Sequence, residues 1–179
     1  MVEKPVKIVI TGAESTGKST LAERLAKHFQ AKWMPEFSRS YIEQLNRVYT
    51  YSDIETIARH QIAAEQNIDP DTHLIFFDTW LIITKVWFEF VYSKSPGWLH
   101  EFILQSNIGL FLVCDIDIPW IADPVRENGG ENRIILQNIY LDQIKNYGFN
   151  YQVVSGIGEE RVKKALNCVN DFLELNQFE

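Results

Sequence analysis

Residues Gly12, Ala13, Glu14, Ser15, Thr16, Gly17, Lys18 and Ser19 meet the pattern G-x-x-x-x-G-K-[ST] at every fixed position, directly after the β-branched run Val6 to Thr11. Glycines in such a loop let successive backbone N–H groups turn inward around phosphate oxygens, and the helix that follows presents its positive end to the same anion. Lys18 is expected at the outer phosphates, the Ser19 hydroxyl at a magnesium ion (Mg2+), and Thr20 at the continuation of the cradle into the helix. ATP with magnesium is therefore the expected ligand of residues 12–20.

Ligands of open parallel sheets collect at the carboxyl ends of the strands, so charged residues there are the next candidates. Asp78 closes the apolar run Leu74 to Phe77. A carboxylate in that place holds magnesium together with Ser19, or accepts a proton from a substrate hydroxyl. It would also cap the following helix, and the two roles are compatible. Arg126 and Arg133 flank Glu127 to Asn132. On a closing loop they would neutralise the charge spread over a transferring phosphoryl group, whereas as exposed partners of Asp123, Glu127 or Glu131 they would contribute little. Lys18, Asp78, Arg126 and Arg133 form the expected catalytic set. Glu36 and Arg39, after the second strand, either face an acceptor substrate or form a buried structural ion pair. Asp123 either holds Arg126 or contacts substrate. Of the tryptophans, Trp80 and Trp120 lie beside strand ends, where a ring could stack on substrate; aromatics at helical spacing elsewhere read as core. His28, His60, His73 and His100 lack metal-ligand spacing.

The elements that must position these residues alternate from end to end, the pattern of a parallel sheet covered by helices on both faces. Strands are predicted at Val6 to Thr11, Ala31 to Met34, Leu74 to Asp78, Leu110 to Asp115 and Tyr151 to Ser155. The first predicted helix carries Leu21, Ala22, Leu25, Ala26 and Phe29 on one face. Another opens with the capping box Ser52-Asp53-Ile54-Glu55, an aromatic one follows Asp78, one after Arg133 buries Ile135, Leu136, Ile139 and Tyr140 before stopping at Gly148, and the last spans about Glu159 to Leu175. The expected architecture is a P-loop kinase-like three-layer α/β/α arrangement around a five-stranded, mainly parallel sheet. A single domain over residues 1–179 is expected, with a mobile lid at about 117–133, where Pro119, Pro124, Gly129 and Gly130 interrupt periodicity.

Composition narrows the function classes. The chain has 179 residues, 46% of them hydrophobic, enough to bury a core, and carries a net charge of −7 with no basic cluster, which argues against a nucleic-acid binder. The apolar stretch Leu74 to Tyr92 is interrupted by Asp78, Lys85 and Glu89, so it reads as a strand and a helix rather than a membrane span. Cys114 and Cys168 read as reduced core residues. The N-terminal residues lead straight into the first strand without a signal-peptide pattern, so the expected compartment is the cytoplasm. Expected partners are ATP and a small-molecule substrate, with self-association into a homo-oligomer admitted.

Taken together, Gly12 to Thr20, Pro35-Glu36-Phe37-Ser38-Arg39, Phe77-Asp78-Thr79 and Pro119 to Arg126, with Arg133 beyond, resemble the ribosylnicotinamide kinase domain of bacterial NadR-type proteins, in order over residues 6 to about 160. The resemblance implies ATP-dependent phosphorylation of the ribose 5′-hydroxyl of nicotinamide riboside, in NAD salvage, without the family's adenylyltransferase and DNA-binding activities. Two positions depart from the family pattern: Trp80, where another acid is expected, and Pro124, where glycine is expected. They keep open a kinase for another nucleoside or a vitamin alcohol such as thiamine. A nucleotide-dependent regulatory partner of a vitamin permease is the reading from a different class.

Overall fold

Strands buried on both faces read as continuous apolar runs, and such runs organise this chain. The computed structural model describes residues 4–176. Five strands, β1 (Val6–Thr11), β2 (Lys32–Met34), β3 (Leu74–Asp78), β4 (Leu110–Cys114) and β5 (Tyr151–Val154), form one sheet in the order β2-β3-β1-β4-β5. Every pairing is parallel. Seven helices accompany them among the described residues: α1 (Lys18–Phe29), α2 (Phe37–Gln44), α3 (Tyr51–Gln66), α4 (Leu81–Tyr92), α5 (Gly97–Gln105), α6 (Glu131–Asn146) and α7 (Glu159–Asn176). The five-stranded α/β architecture expected from the sequence is the one observed.

The period of two along each strand divides the core into two layers. Val9, Ile75, Phe77, Phe111 and Val113 face α3 to α6, where Ile54, Leu81, Phe88, Ile103 and Ile144 meet them. Ile8, Ile10, Phe76, Leu110 and Leu112 face α1 and α7, packing on Leu21, Leu25, Ala165 and Val169. Each such side chain contributes roughly 1.5–3 kcal/mol by leaving water, so the sheet is rigid where its strands end and the loops begin. Because β1 lies between β3 and β4, the chain leaves it toward one side first and returns to the other later. The loop after β1 therefore sits at the point where the strand order reverses, the place such sheets bind ligands.

Several local expectations need correction. Helices α2 and α5 are not legible in the sequence: α2 has only 8 residues and buries none of them, and α5 begins with Gly97 after Pro96, so neither carries a clear period. The box at the start of α3 is set two residues earlier than Ser52, with the Asp53 carboxylate accepting the Thr50 backbone N–H at 2.7 Å. In α6, Ile135 is exposed, and the buried face is Arg133, Leu136, Gln137, Tyr140 and Ile144. Polar Arg133 and Gln137 turn inward there because backbone groups await them, as described below. Gly148 does adopt a left-handed conformation, at φ +74°, and the Phe149 and Gly148 amides return to the Ile144 and Lys145 carbonyls. No helix among the described residues is long and apolar enough to cross a membrane.

One glycine fixes how closely the phosphate loop approaches the sheet. A Cβ on Gly12, whose φ is +133°, would lie 2.6 Å from the carbonyl oxygen of Cys114 in β4. Gly12→Ala is expected to lower unfolding free energy by about 2–4 kcal/mol, measured by urea denaturation; a loss below about 0.5 kcal/mol would show that this close approach is not enforced.

Candidate active site

The phosphate loop bridges β1 and α1, with Ser15 at φ 58° and Gly17 at φ 77° in left-handed conformations that bend the backbone into a cradle. Its outward carbonyls are bound by side chains. Lys18 Nζ donates to Ala13 O at 2.8 Å, and the Thr16 hydroxyl donates to the same oxygen at 2.9 Å. Arg133 donates from Nε to Glu14 O at 2.9 Å and from Nη2 to Ser15 O at 3.0 Å. Arg161 is 3% exposed; it donates to Thr16 O, to Asp115 O, to Gly156 O and to the Asp117 carboxylate, tying the loop to the ends of β4 and β5. Gln137 accepts the Ala13 N–H at 2.8 Å and donates to Cys114 O at 2.9 Å.

Asp78 stands beside this cradle because the register of β3 pairs it with Ile10, two residues before Gly12. The chain then turns sharply: Thr79 takes φ 64° and donates its N–H back to Ile10 O at 2.9 Å. Asp78 is 3% exposed, and its Oδ1 is buried with no hydrogen-bond partner. Burial raises its pKa to about 6, opposed by a hydrogen bond from Ser19 and the charge of Lys18 and reinforced by Glu36. An orphaned carboxylate oxygen next to the Ser19 hydroxyl is a hard oxygen pair of the kind magnesium accepts, so these residues fit that ion. Glu36 immediately precedes α2 and accepts the Ser38 hydroxyl at 2.7 Å.

The irregular segment between β4 and α6 folds over the cradle. Asp123 receives Arg39 Nη2 at 2.9 Å and Arg126 Nε at 3.0 Å; burial acts to raise its pKa, but the Arg39 and Val125 hydrogen bonds and the two arginine charges leave it lowered. Arg126 also donates to Ile121 O at 2.6 Å. Asp123 thus holds Arg126 and Arg39 together. Arg133 requires a correction. It belongs to the first turn of α6 rather than to the loop, is 7% exposed, and directs its guanidinium to the loop carbonyls. Burial lowers its pKa from the usual arginine value.

Two aromatic expectations change as well. Trp80 is 1% exposed, donates its indole N–H to Glu65 Oε2 at 2.8 Å and packs edge-on against Phe111 and Phe149, so it is a core residue. Glu65 also binds Lys7 Nζ at 2.7 Å, which makes the group a satisfied buried network. Trp120 packs under Gly129 and donates to Glu14 Oε2 at 3.3 Å; its ring is committed to the loop. The rings that do line the cleft are others. A cavity of about 410 Å³ runs from Gly12, Lys18, Ser19 and Thr20 past Glu36, Arg39 and Arg126 to Tyr49, Trp87, Phe90 and Tyr140. Tyr49 meets Trp87 edge to face at 4.9 Å and donates to Glu127 Oε2 at 3.1 Å. Ile83, Trp87, Phe90 and Val91 recur at the helical spacing of one face in the helix directly after Asp78, a spacing that by itself reads equally as core.

The chain is similar in sequence and fold to known proteins. The family described as an AAA domain matches residues 7–161. The trifunctional NAD biosynthesis/regulator protein NadR of Escherichia coli strain K12 is 25% identical over 170 residues, covering 90% of this chain and 40% of that protein. A crystal structure of NadR protein in complex with NR superposes with a TM-score of 0.82 at 23% identity, covering 94% of this chain and 51% of that one. A deoxyadenosine kinase from M. mycoides, solved with products, gives 0.64 at 15% identity over 93% of this chain and 99% of that one. The chain thus spans 40% of the curated relative and about half of the solved NadR chain. The NadR-type resemblance read from the motifs is borne out, and the fold is shared with nucleoside kinases.

A buried acid with a raised pKa makes a signed prediction. Its protonated form is the one folding favours, so the stability it contributes is complete below 3.8 and is lost as pH rises through about 6. In magnesium-free buffer at about pH 8, Asp78→Asn is expected to be more stable than the parent, by up to roughly 3 kcal/mol, with the gap closing below about pH 4. Thermal melts of the two proteins across that range check it; a parent more stable than the variant at high pH would contradict the burial argument.

Proposed function

The chain belongs to the AAA domain family, matched over residues 7–161, and from that premise we propose that it is an ATP-dependent small-molecule kinase. The acceptor proposed is the ribose 5′-hydroxyl of nicotinamide riboside, and the product the mononucleotide. The observation that carries the reading is a single cleft with a phosphate cradle at one end and an aromatic wall at the other, lined between them by Glu36 and by Thr79, the residue that follows the buried acid Asp78. A nucleotide switch needs the first of these, whereas a kinase needs all three. The NR complex of the NadR relative and the NAD biosynthesis role in its name support the choice of acceptor.

In this reading the loop amides and Lys18 bind the ATP phosphates, and Ser19 and Asp78 hold magnesium. That ion would supply charge neutralisation to the phosphates. Asp78 also orients the acceptor hydroxyl and takes its proton, with Glu36 beside it. The hydroxyl oxygen bonds to the γ-phosphorus, the bond from that phosphorus to the bridging oxygen of ADP breaks, and Arg126 meets the charge on the moving group. Glu36, Arg39 and Asp123 shape the acceptor end, and Tyr49 and Trp87 offer ring faces for its base. Cytoplasmic location and a single-domain unit with a lid at about 117–130, ending where α6 begins, belong to the same proposal. A second reading keeps the kinase and changes the acceptor to another nucleoside; it rests on Pro124, the departure from the family pattern that lines the cleft.

ADP release with magnesium-ATP across nicotinamide riboside, other nucleosides and thiamine, with products weighed by mass spectrometry, tests the proposal. The expected result is nicotinamide mononucleotide formed with kcat/KM above roughly 10⁴ M⁻¹s⁻¹. Release independent of every acceptor would overturn it in favour of a regulatory ATP-binding protein. Lys18→Ala is expected to lower kcat by at least about 100-fold with its melting temperature nearly unchanged. Trp87→Ala is expected to raise the acceptor KM about tenfold while kcat stays within about threefold, the pattern of lost uniform binding.

A further inference from the structure

Glu14 occupies a variable position of the phosphate loop and lines the cleft, and its carboxylate is bound by the segment that covers the loop. Its Oε2 accepts the Trp120 indole N–H at 3.3 Å and the Asn128 backbone N–H at 3.1 Å. Its Oε1 accepts the Glu127 backbone N–H at 3.3 Å and the Asn128 side-chain amide at 3.1 Å. Beside it, Ser15 Oγ accepts the Ile121 N–H at 3.0 Å. The covering segment is gripped at its other side by the acceptor wall, through Asp123 on Arg39 at 2.9 Å and Glu127 on the Tyr49 hydroxyl at 3.1 Å. One stretch of chain therefore joins the two ends of the cleft, and its attachment to the phosphate end is made by four donors on the Glu14 carboxylate and by the Ser15 hydroxyl, which accepts from Ile121 and donates to Pro119 O.

The chemistry of that carboxylate is specific. Four N–H donors converge on it, and an ionised carboxyl is an acceptor-only group with about four lone-pair positions. A carboxamide of the same shape would turn its own NH₂ toward donors. A negative charge beside bound triphosphate would by itself oppose ATP, so its placement is favourable only where donors such as these neutralise it. We propose that Glu14 is a positioning residue that latches residues 119–128 onto the phosphate loop, so that cradle and acceptor wall close as one unit and water is kept from the γ-phosphate. The functional half of this inference rests on the kinase reading; the latch itself does not.

Glu14→Gln in the full chain tests it. With magnesium-ATP alone, amide hydrogen exchange at Glu127 and Asn128 is expected to quicken by roughly tenfold or more, while β1 and β4 amides keep their protection. With acceptor added, the share of ATP lost to water rises at least about twofold and the acceptor KM rises about fivefold. Glu14→Asp, which keeps the acceptor-only charge, is expected to retain more of the coupling than the isosteric Gln. Unchanged exchange at Glu127 and Asn128 would overturn the latch, as would exchange that quickens across the whole sheet. A parent that phosphorylates no acceptor would defeat the kinase reading instead, and the exchange comparison would still decide the latch.

Discussion

A backbone loop that turns its N–H groups inward around phosphate must leave its carbonyls pointing outward, and those carbonyls need donors. Much of the structure near the site follows from that requirement. The four carbonyls from Ala13 to Thr16 are met by Lys18 and Thr16, by the fork of Arg133, and by Arg161. Lys18 and Thr16 belong to the loop itself, whereas Arg133 and Arg161 come from α6 and α7, helices on opposite faces of the sheet, so the cradle is held by the whole fold as well as by its own sequence. This explains why α6 carries a buried arginine and glutamine on a face otherwise made of Leu136, Tyr140 and Ile144. Their inward position is dictated by the loop they support.

The same requirement sets what remains available for chemistry. Arg133 and Arg161 are committed to loop carbonyls outside the cleft lining, whereas Lys18 and Arg126, though each also donates to a backbone carbonyl, line the cleft near the cradle, together with Arg39 at the acceptor side. Asp78 is the opposite case, a buried acid whose Oδ1 has no protein partner. Among the described residues the buried side-chain polar atoms without a partner are Asp78 Oδ1 and Thr11 Oγ1, both at strand ends beside the phosphate loop.

How much of this the sequence discloses depends on whether the signal is local. The phosphate loop, the strand ending at Asp78 and the left-handed Gly148 are short patterns with one physical meaning, and all three lie where those patterns put them. The predicted strands agree with the observed ones to within a residue at each end, most securely in β1, β3 and β4, whose burial on both faces leaves continuous apolar runs. Side-chain destinations are a different matter. Trp80 follows a strand end, which points to substrate, but a backbone turn at Thr79 sends it into the core toward Glu65. Trp87 has the helical spacing of a core residue, yet its helix lies along the cleft and leaves that ring partly exposed to it. Arg133 sits on α6 rather than the covering loop, and the sequence hides this because no capping side chain marks where that helix begins. Each of these differences concerns packing between elements distant in sequence, which composition and periodicity do not encode.

The central claim is that the γ-phosphoryl group leaves ATP for a hydroxyl of a bound riboside rather than for water. ATP labelled with radioactive phosphorus at the γ position, incubated with the protein, magnesium and nicotinamide riboside, tests it most directly. The account predicts that the label appears in the riboside monophosphate, one equivalent for each ADP formed. Label recovered only as inorganic phosphate would contradict it.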